Sequence, residues 1–160
     1  MMTRGLVVLA WIVAWGVRAA LAGEGIPAAR DLRLDGAEAH ARGAAVLVVF
    51  VAARCPYCDL ALNEVLIPTS RNPDYQRKLV MRRVQTRSPQ VLRDFDGKRL
   101  TQGEFAKRHG VVLVPTVMLF DHQGNPLTKP LVGITTVDHY SYELDLAIEA
   151  ALARIGSTSG

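Results

Sequence analysis

Residues Val46 to Ala52 are apolar at every position, the pattern of a strand buried on both faces. Ahead of that run, Asp35 followed by Glu38 predicts a helix N-terminus, with Gly43 as its stop. Behind it, Pro56 is a favoured first-turn residue, and Leu60, Leu62 and Val65 carry a helix that should end before Pro68. Thr69 to Pro73 reads as a break, Asp74 to Lys78 as a helical turn and Leu79 to Val84 as a strand. The polar segment Arg93 to Arg99 contains Asp96-Gly97, which suits a tight turn. Thr101 with Glu104 makes a capping box, and Gly110 stops the helix it opens. Val111 to Phe120 is apolar and β-branched except at Pro115 and Thr116. Asp121 to Asn125 then links to a strand around Lys129 to Val132. Thr136 or Asp138 opens a last helix, with Leu144, Ala147, Ile148, Ala151 and Leu152 on one face. The order, a helix and then β-α-β-α-β-β-α, implies an α/β fold: a central mixed sheet, helices on both faces and an antiparallel edge.

The first 22 residues read as an address rather than as part of that fold. Arg4 is a short basic region, Leu6 to Trp15 an apolar core, and Ala20-Leu21-Ala22 a small-x-small cleavage pattern. The apolar stretch is short of the roughly 20 residues that a spanning helix needs, and Arg18 interrupts its end. The expectation is a cleavable signal peptide (1–22), a mature start at Gly23 and export to the periplasm. The mature chain divides into a loose lead-in (23–34), one domain (35–155) and a flexible tail (156–160). Arg4 and Arg18 leave with the signal, so the formal charge falls from +4 to +2. With both signs scattered along the chain, that balance leaves no nucleic-acid footprint.

Cys55-Pro56-Tyr57-Cys58 holds the only two cysteines, directly after the buried-strand pattern and at the start of a helix. A strand that delivers Cys-x-x-Cys onto a first helical turn is the layout of a thiol–disulfide site. Cys55 falls at the N-cap, where unpaired N–H groups, the helix dipole and the charge of Arg54 favour a thiolate. Cys58, one turn on, is placed to resolve a mixed disulfide. We therefore read Cys55 as nucleophile and Cys58 as resolving thiol. A c-type haem site would need histidine at position 59, where the chain has Asp59. A structural zinc site would need two more ligands, and His40, His109, His122 and His139 are scattered and read as surface residues. An inert bridge over a two-residue loop would constrain little of the unfolded chain.

Pro115 is the second informative residue, because proline interrupts ladder pairing within a strand. A cis Val114-Pro115 bond at a strand start would explain it, and so would an ordinary trans proline at a strand's first residue.

These features together resemble the thioredoxin-fold oxidoreductases: the strand–Cys55-Pro56-Tyr57-Cys58–helix unit, the Val114-Pro115-Thr116 triplet, and Gly133 after the last strand. More narrowly, Asp94-Phe95-Asp96-Gly97, the helix from Thr101 to His109, and Val114 to Phe120 with Gly124 are similar to secreted bacterial thioredoxin-like proteins, including those found with sulfur-oxidation genes. The resemblance implies a cis-proline loop facing the cysteine pair. It also implies a substrate site made of Val114, Pro115 and Thr116 with Pro56 and Tyr57, the Val114 backbone pairing with an extended substrate segment. Cytosolic thioredoxins carry a buried acid where this chain has Val49, tryptophans where it has Val51 and Arg54, and Gly-Pro where it has Pro56-Tyr57. Proton removal from Cys58 would then fall to water or another group. Pro-Tyr is the glutaredoxin pair, but no glutathione-binding elements follow Gly133, so no cofactor and no glutathione use are carried over.

The reading is a periplasmic thiol–disulfide oxidoreductase, a reductase of protein disulfides recharged by a membrane electron donor. Two alternatives stand beside it. One is a disulfide-forming oxidase; the other is a module that binds a protein or a soft metal such as Cu(I) around the thiols and Pro115.

Overall fold

A computed structural model describes residues 25–158. The signal peptide and its cleavage site lie outside the described residues. Helix α1 (Leu32–Arg42) leads into strand β1 (Ala45–Val51). Helices α2 (Pro56–Ala61) and α3 (Ile67–Arg71) flank a π-helical turn at Leu62–Leu66, and α4 (Pro73–Lys78) precedes β2 (Leu79–Gln85). A hairpin of β3 (Val91–Arg93) and β4 (Arg99–Thr101) follows, then α5 (Gln102–Arg108), β5 (Thr116–Phe120), β6 (Leu131–Val132) and α6 (Val137–Thr158). The main sheet has the order β2-β1-β5-β6, with β1 parallel to β2 and the other neighbours antiparallel. This is the mixed sheet with an antiparallel edge that the sequence pattern implies. Among the described residues no helix is long and apolar enough to cross a membrane.

Every residue of β1 is buried, because alternate side chains enter two separate cores. Ala45, Leu47, Val49 and Val51 pack with Ala61, Val65, Tyr140, Leu144 and Ile148 from α2, the π-turn and α6. Val46, Val48 and Phe50 pack on the other face with Leu32, Ala39, Leu92, Phe95 and Phe105 from α1, the β3–β4 hairpin and α5. Two-sided burial is what turns the usual strand alternation into an unbroken apolar run.

Four local expectations change. The first helix begins at Leu32 rather than near Asp35, because Asp31 is its cap and accepts the Leu34 N–H at 3.1 Å. Residues 26–31 are not a loose lead-in. Ile26 and Ala29 are buried, and Pro27 and Ala29 pair with Arg83 along the outer edge of β2, with the Ala29 N–H donating at 2.9 Å and the Arg83 N–H at 2.8 Å. Pro68 does not end its helix. The Ile67 N–H reaches back to the Leu62 carbonyl, and this wider turn carries the chain past a residue with no N–H to give. Helix α6 runs to Thr158, into the expected tail. The Thr101–Glu104 capping box is complete, with the Glu104 N–H donating to Thr101 Oγ1 and the Thr101 N–H to Glu104 Oε2.

Candidate functional site

The parallel β1–β2 pair ends at Val51 and Gln85, and the residues that follow both strands converge on the cysteine pair. Cys55 is the N-cap of α2 in extended backbone, and the Cys58 N–H donates to its Sγ at 3.2 Å. The two cysteines are joined as a disulfide, with Cα atoms 5.2 Å apart. Cys55 is partly exposed, whereas Cys58 is 1 % exposed and belongs to the core of α2 and α6. An amide pointing at Cys55 Sγ stabilises negative charge there once the bond is reduced. The two cysteines therefore differ as an attacking and a resolving thiol would: one meets solvent, the other is packed in the core.

Opposite them the Val114–Pro115 peptide is cis. The loop is pinned from both sides, since Thr116 Oγ1 donates to the Leu113 carbonyl at 2.8 Å and the Gly133 N–H to the Pro115 carbonyl at 2.7 Å. Val114 has no backbone hydrogen-bond partner among the described residues. A cavity of about 510 Å³ brings Val114 together with Cys55, lined also by Arg54, Arg87, Thr86 and Val112. Val112 and Leu113 beside it are 90 % and 65 % exposed.

The remaining expected site residues are spread out. Pro56 and Tyr57 lie on the exposed first turn of α2, outside the cavity, with Tyr57 64 % exposed. Pro115 is buried. Thr116 is buried too, and its hydroxyl is taken by Leu113, so it holds the loop instead of meeting solvent.

Val49 is fully buried in the core that holds Cys58, so no carboxylate stands at that position. The buried carboxylates Asp35 and Asp94 are paired with Arg82 and Arg108. Asp35 sits in α1, across the sheet from Cys58. Burial pushes its pKa up, against the lowering effect of Arg82. Tyr140 shares the Cys58 core, and its hydroxyl has no partner among the described residues. Burial raises its pKa, so it is no base at neutral pH. The histidines are not all scattered surface residues, since the His40 and His122 rings meet at 4.2 Å and His109 is drawn inward. The His109 ring is half-buried against Phe105 and Phe120, with centroids at 4.5 and 5.0 Å. Among the described residues no group of three or more His, Cys, Asp or Glu side chains converges as a metal site.

Two contributors carry no sequence signal. Arg87 reaches the cavity only because the Thr86 N–H donates to the Val51 carbonyl at 2.9 Å, a long-range contact. Tyr140 reaches the Cys58 core only through the docking of α6.

The family to which the chain belongs agrees with this fold. The family description "Thioredoxin-like domain" matches residues 32–148. None of the curated proteins matches the chain. Among solved structures, Trxlp from Edwardsiella tarda EIB202 is 28 % identical, with a TM-score of 0.48, over 68 % of this chain and 88 % of that one. A structure concerning the thiol resolving mechanism in yeast mitochondrial 1-Cys peroxiredoxin via glutathione/thioredoxin systems is 14 % identical, with a TM-score of 0.47, over 76 % and 93 % of the two chains.

Proposed function

Because the chain belongs to the thioredoxin-like domain family and closes its Cys-x-x-Cys as a disulfide, it is a thiol–disulfide oxidoreductase, and we propose that it reduces protein disulfides in the periplasm. The observation that carries this reading is the asymmetry of the pair: a partly exposed Cys55 that receives an N–H, and a buried Cys58 one turn away. In the reduced protein the Cys55 thiolate attacks one sulfur of the substrate disulfide. A mixed disulfide forms, and the substrate's other sulfur leaves as a thiolate. The Cys58 thiolate then attacks Cys55 Sγ, which breaks the mixed bond, re-forms Cys55–Cys58 and releases the second substrate thiolate. Two electrons pass to the substrate, and its two thiolates take up the two protons that the cysteines have lost.

Val114 supports the protein-substrate part of the reading, because its unpaired backbone shares a cavity with Cys55 and offers strand pairing to an extended segment. A membrane-borne dithiol donor recharges the pair. Export rests on Leu6 to Trp15 and Ala20-Leu21-Ala22.

Mutagenesis of each cysteine tests the roles. Cys55→Ser abolishes turnover, and Cys58→Ser accumulates a mixed disulfide with substrate; preferential alkylation of Cys58 in the reduced protein would reverse the assignment. Equilibration with glutathione buffers tests direction. A potential near that of thioredoxin, about −270 mV, supports a reductase, and one near about −120 mV makes the protein an oxidase. Mass spectrometry of the protein from its native envelope tests export, with an N-terminus at or near Gly23 expected and an intact Met1 refuting cleavage.

A further inference from the structure

The cavity beside Cys55 is cationic and holds no counter-charge. Its lining contains Arg54 and Arg87 and no carboxylate. Neither guanidinium has an ion-pair or hydrogen-bond partner among the described residues. Elsewhere Arg42, Arg77, Arg82, Arg93 and Arg108 are each paired with a carboxylate. Arg30, Arg33, Arg71, Arg83 and Arg99 also have no ion pair among the described residues, but they lie away from the cavity beside Cys55.

Both arginines are held in place by the fold. Arg54 has φ of 55°, the left-handed region that glycine or asparagine would occupy with less strain. A long cationic side chain is carried there instead, immediately before the nucleophile. Arg87 sits on a turn fastened from three directions. The Thr86 N–H donates to the Val51 carbonyl at 2.9 Å, the Gln85 N–H to Gln102 Oε1 at 2.7 Å, and the Gly103 N–H to the Ser88 carbonyl at 3.2 Å. Gln102 is itself buried, and a Cβ on Gly103 would stand 3.2 Å from the Thr86 carbonyl oxygen. The turn is packed tightly against α5, so Arg87 projects from a rigid base.

We propose that Arg54 and Arg87 select substrate disulfides whose cysteine is flanked by acidic residues in an extended peptide segment. The proposal rests on the reading of Cys55 as nucleophile. A segment that pairs with Val114 and brings its sulfur to Cys55 lays the residues beside that sulfur in the cavity these arginines line. Carboxylates there meet two free guanidiniums, and lysines there meet like charge. The apolar Val111, Val112 and Val114 complete the wall and accept the segment's hydrophobic side chains.

The test uses disulfide-linked dimers of three acetylated, amidated tripeptides, Glu-Cys-Glu, Ser-Cys-Ser and Lys-Cys-Lys. Their reduction by the reduced protein is followed at 20 and 500 mM NaCl. Each rate is divided by that of the same peptide with dithiothreitol, which removes differences in intrinsic reactivity. The expected order is Glu above Ser above Lys, with about a threefold to tenfold step at low salt that shrinks at high salt. Arg87→Glu should flatten or invert the order. Equal normalised rates for the three peptides, or an order untouched by both Arg87→Glu and salt, overturn the proposal. Neutral hydroxyethyl disulfide separates the two failures. If the wild-type protein does not reduce it, the reading of Cys55 has failed; if it does and the peptides rank equally, only the charge selection has failed.

Discussion

Replacing Gly36 by alanine should destabilise the protein, although glycine to alanine inside a helix ordinarily does the reverse. Gly36 lies within α1 and is buried. Helix propensity alone would favour the change by about 1 kcal/mol. A Cβ there, however, would stand 2.6 Å from the backbone carbonyl oxygen of His122 and 3.3 Å from its Cα. Restoring an ordinary contact of about 3.4–3.5 Å requires the helix and the turn to separate by nearly 1 Å. The turn does not yield easily, since Asp121 accepts the N–H groups of Gln123 and Asn125 at 2.8 and 2.9 Å. The helix is held as well, by the Asp35–Arg82 pair at 2.6 Å and the His40–His122 ring contact at 4.2 Å. Overpacking of this kind costs roughly 1–3 kcal/mol. The clash therefore outweighs the propensity gain by about 1 kcal/mol, and the melting temperature should fall by about 2–5 °C. Thermal melts followed by circular dichroism measure this, with Gly156→Ala as the control. Gly156 is also helical, but a Cβ there meets nothing within 4 Å, so that variant should gain a few tenths of a kcal/mol. If Gly36→Ala stabilises the protein as much as Gly156→Ala does, the close approach of α1 to the turn is refuted.

Burial holds the His109 pKa below its ordinary 6.5, the nearby Asp94 raising it and Arg108 lowering it further. The unfolded chain therefore binds the proton more readily, and this contribution to stability is present above about pH 6.5 and lost as pH falls through the folded value. Urea melts at pH 7.5 and 5.5 should show a smaller pH effect for His109→Gln than for the wild type; an identical difference would remove the role of His109. Tyr140→Phe deletes a buried hydroxyl that lacks a partner, a group whose desolvation costs about 1–3 kcal/mol, so the melting temperature should rise by a few degrees. A fall would mean that a buried water satisfies the hydroxyl.

The site was legible where its chemistry is local. Cys55 to Cys58 are four consecutive residues of one strand–helix junction, and the Thr101–Glu104 box joins positions three apart, so both can be read from spacing. The run Val46 to Ala52 also announced two-sided burial. What stayed hidden depends on partners far away in sequence. The β3–β4 hairpin has strands of three residues, too short for a period to emerge around Asp96-Gly97. Pro68 looked like a terminator because sequence rules assume regular α-helical bonding, which the π-turn replaces. Thr116 entered the expected site with the Val114-Pro115-Thr116 triplet of the resemblance, but its side chain is buried and its hydroxyl is taken by the Leu113 carbonyl. Arg87 had no motif at all, and only the bond from Thr86 to Val51 gives it a place beside Cys55.

The stretch at Pro27 to Ala29 also decides where the folded unit can be trimmed. The family match begins at residue 32, which invites an expression boundary there. A cut at that point would leave the Arg83 amide and carbonyl unclaimed on the outermost strand of the sheet. Bare strand margins recruit other chains, and β2 is seven residues long. The shortened chain would keep its cysteines and its cavity, yet gain a surface on which its own copies could stack. Sheltering that margin, a task far from any sulfur, falls to three residues that precede the domain as sequence comparison defines it.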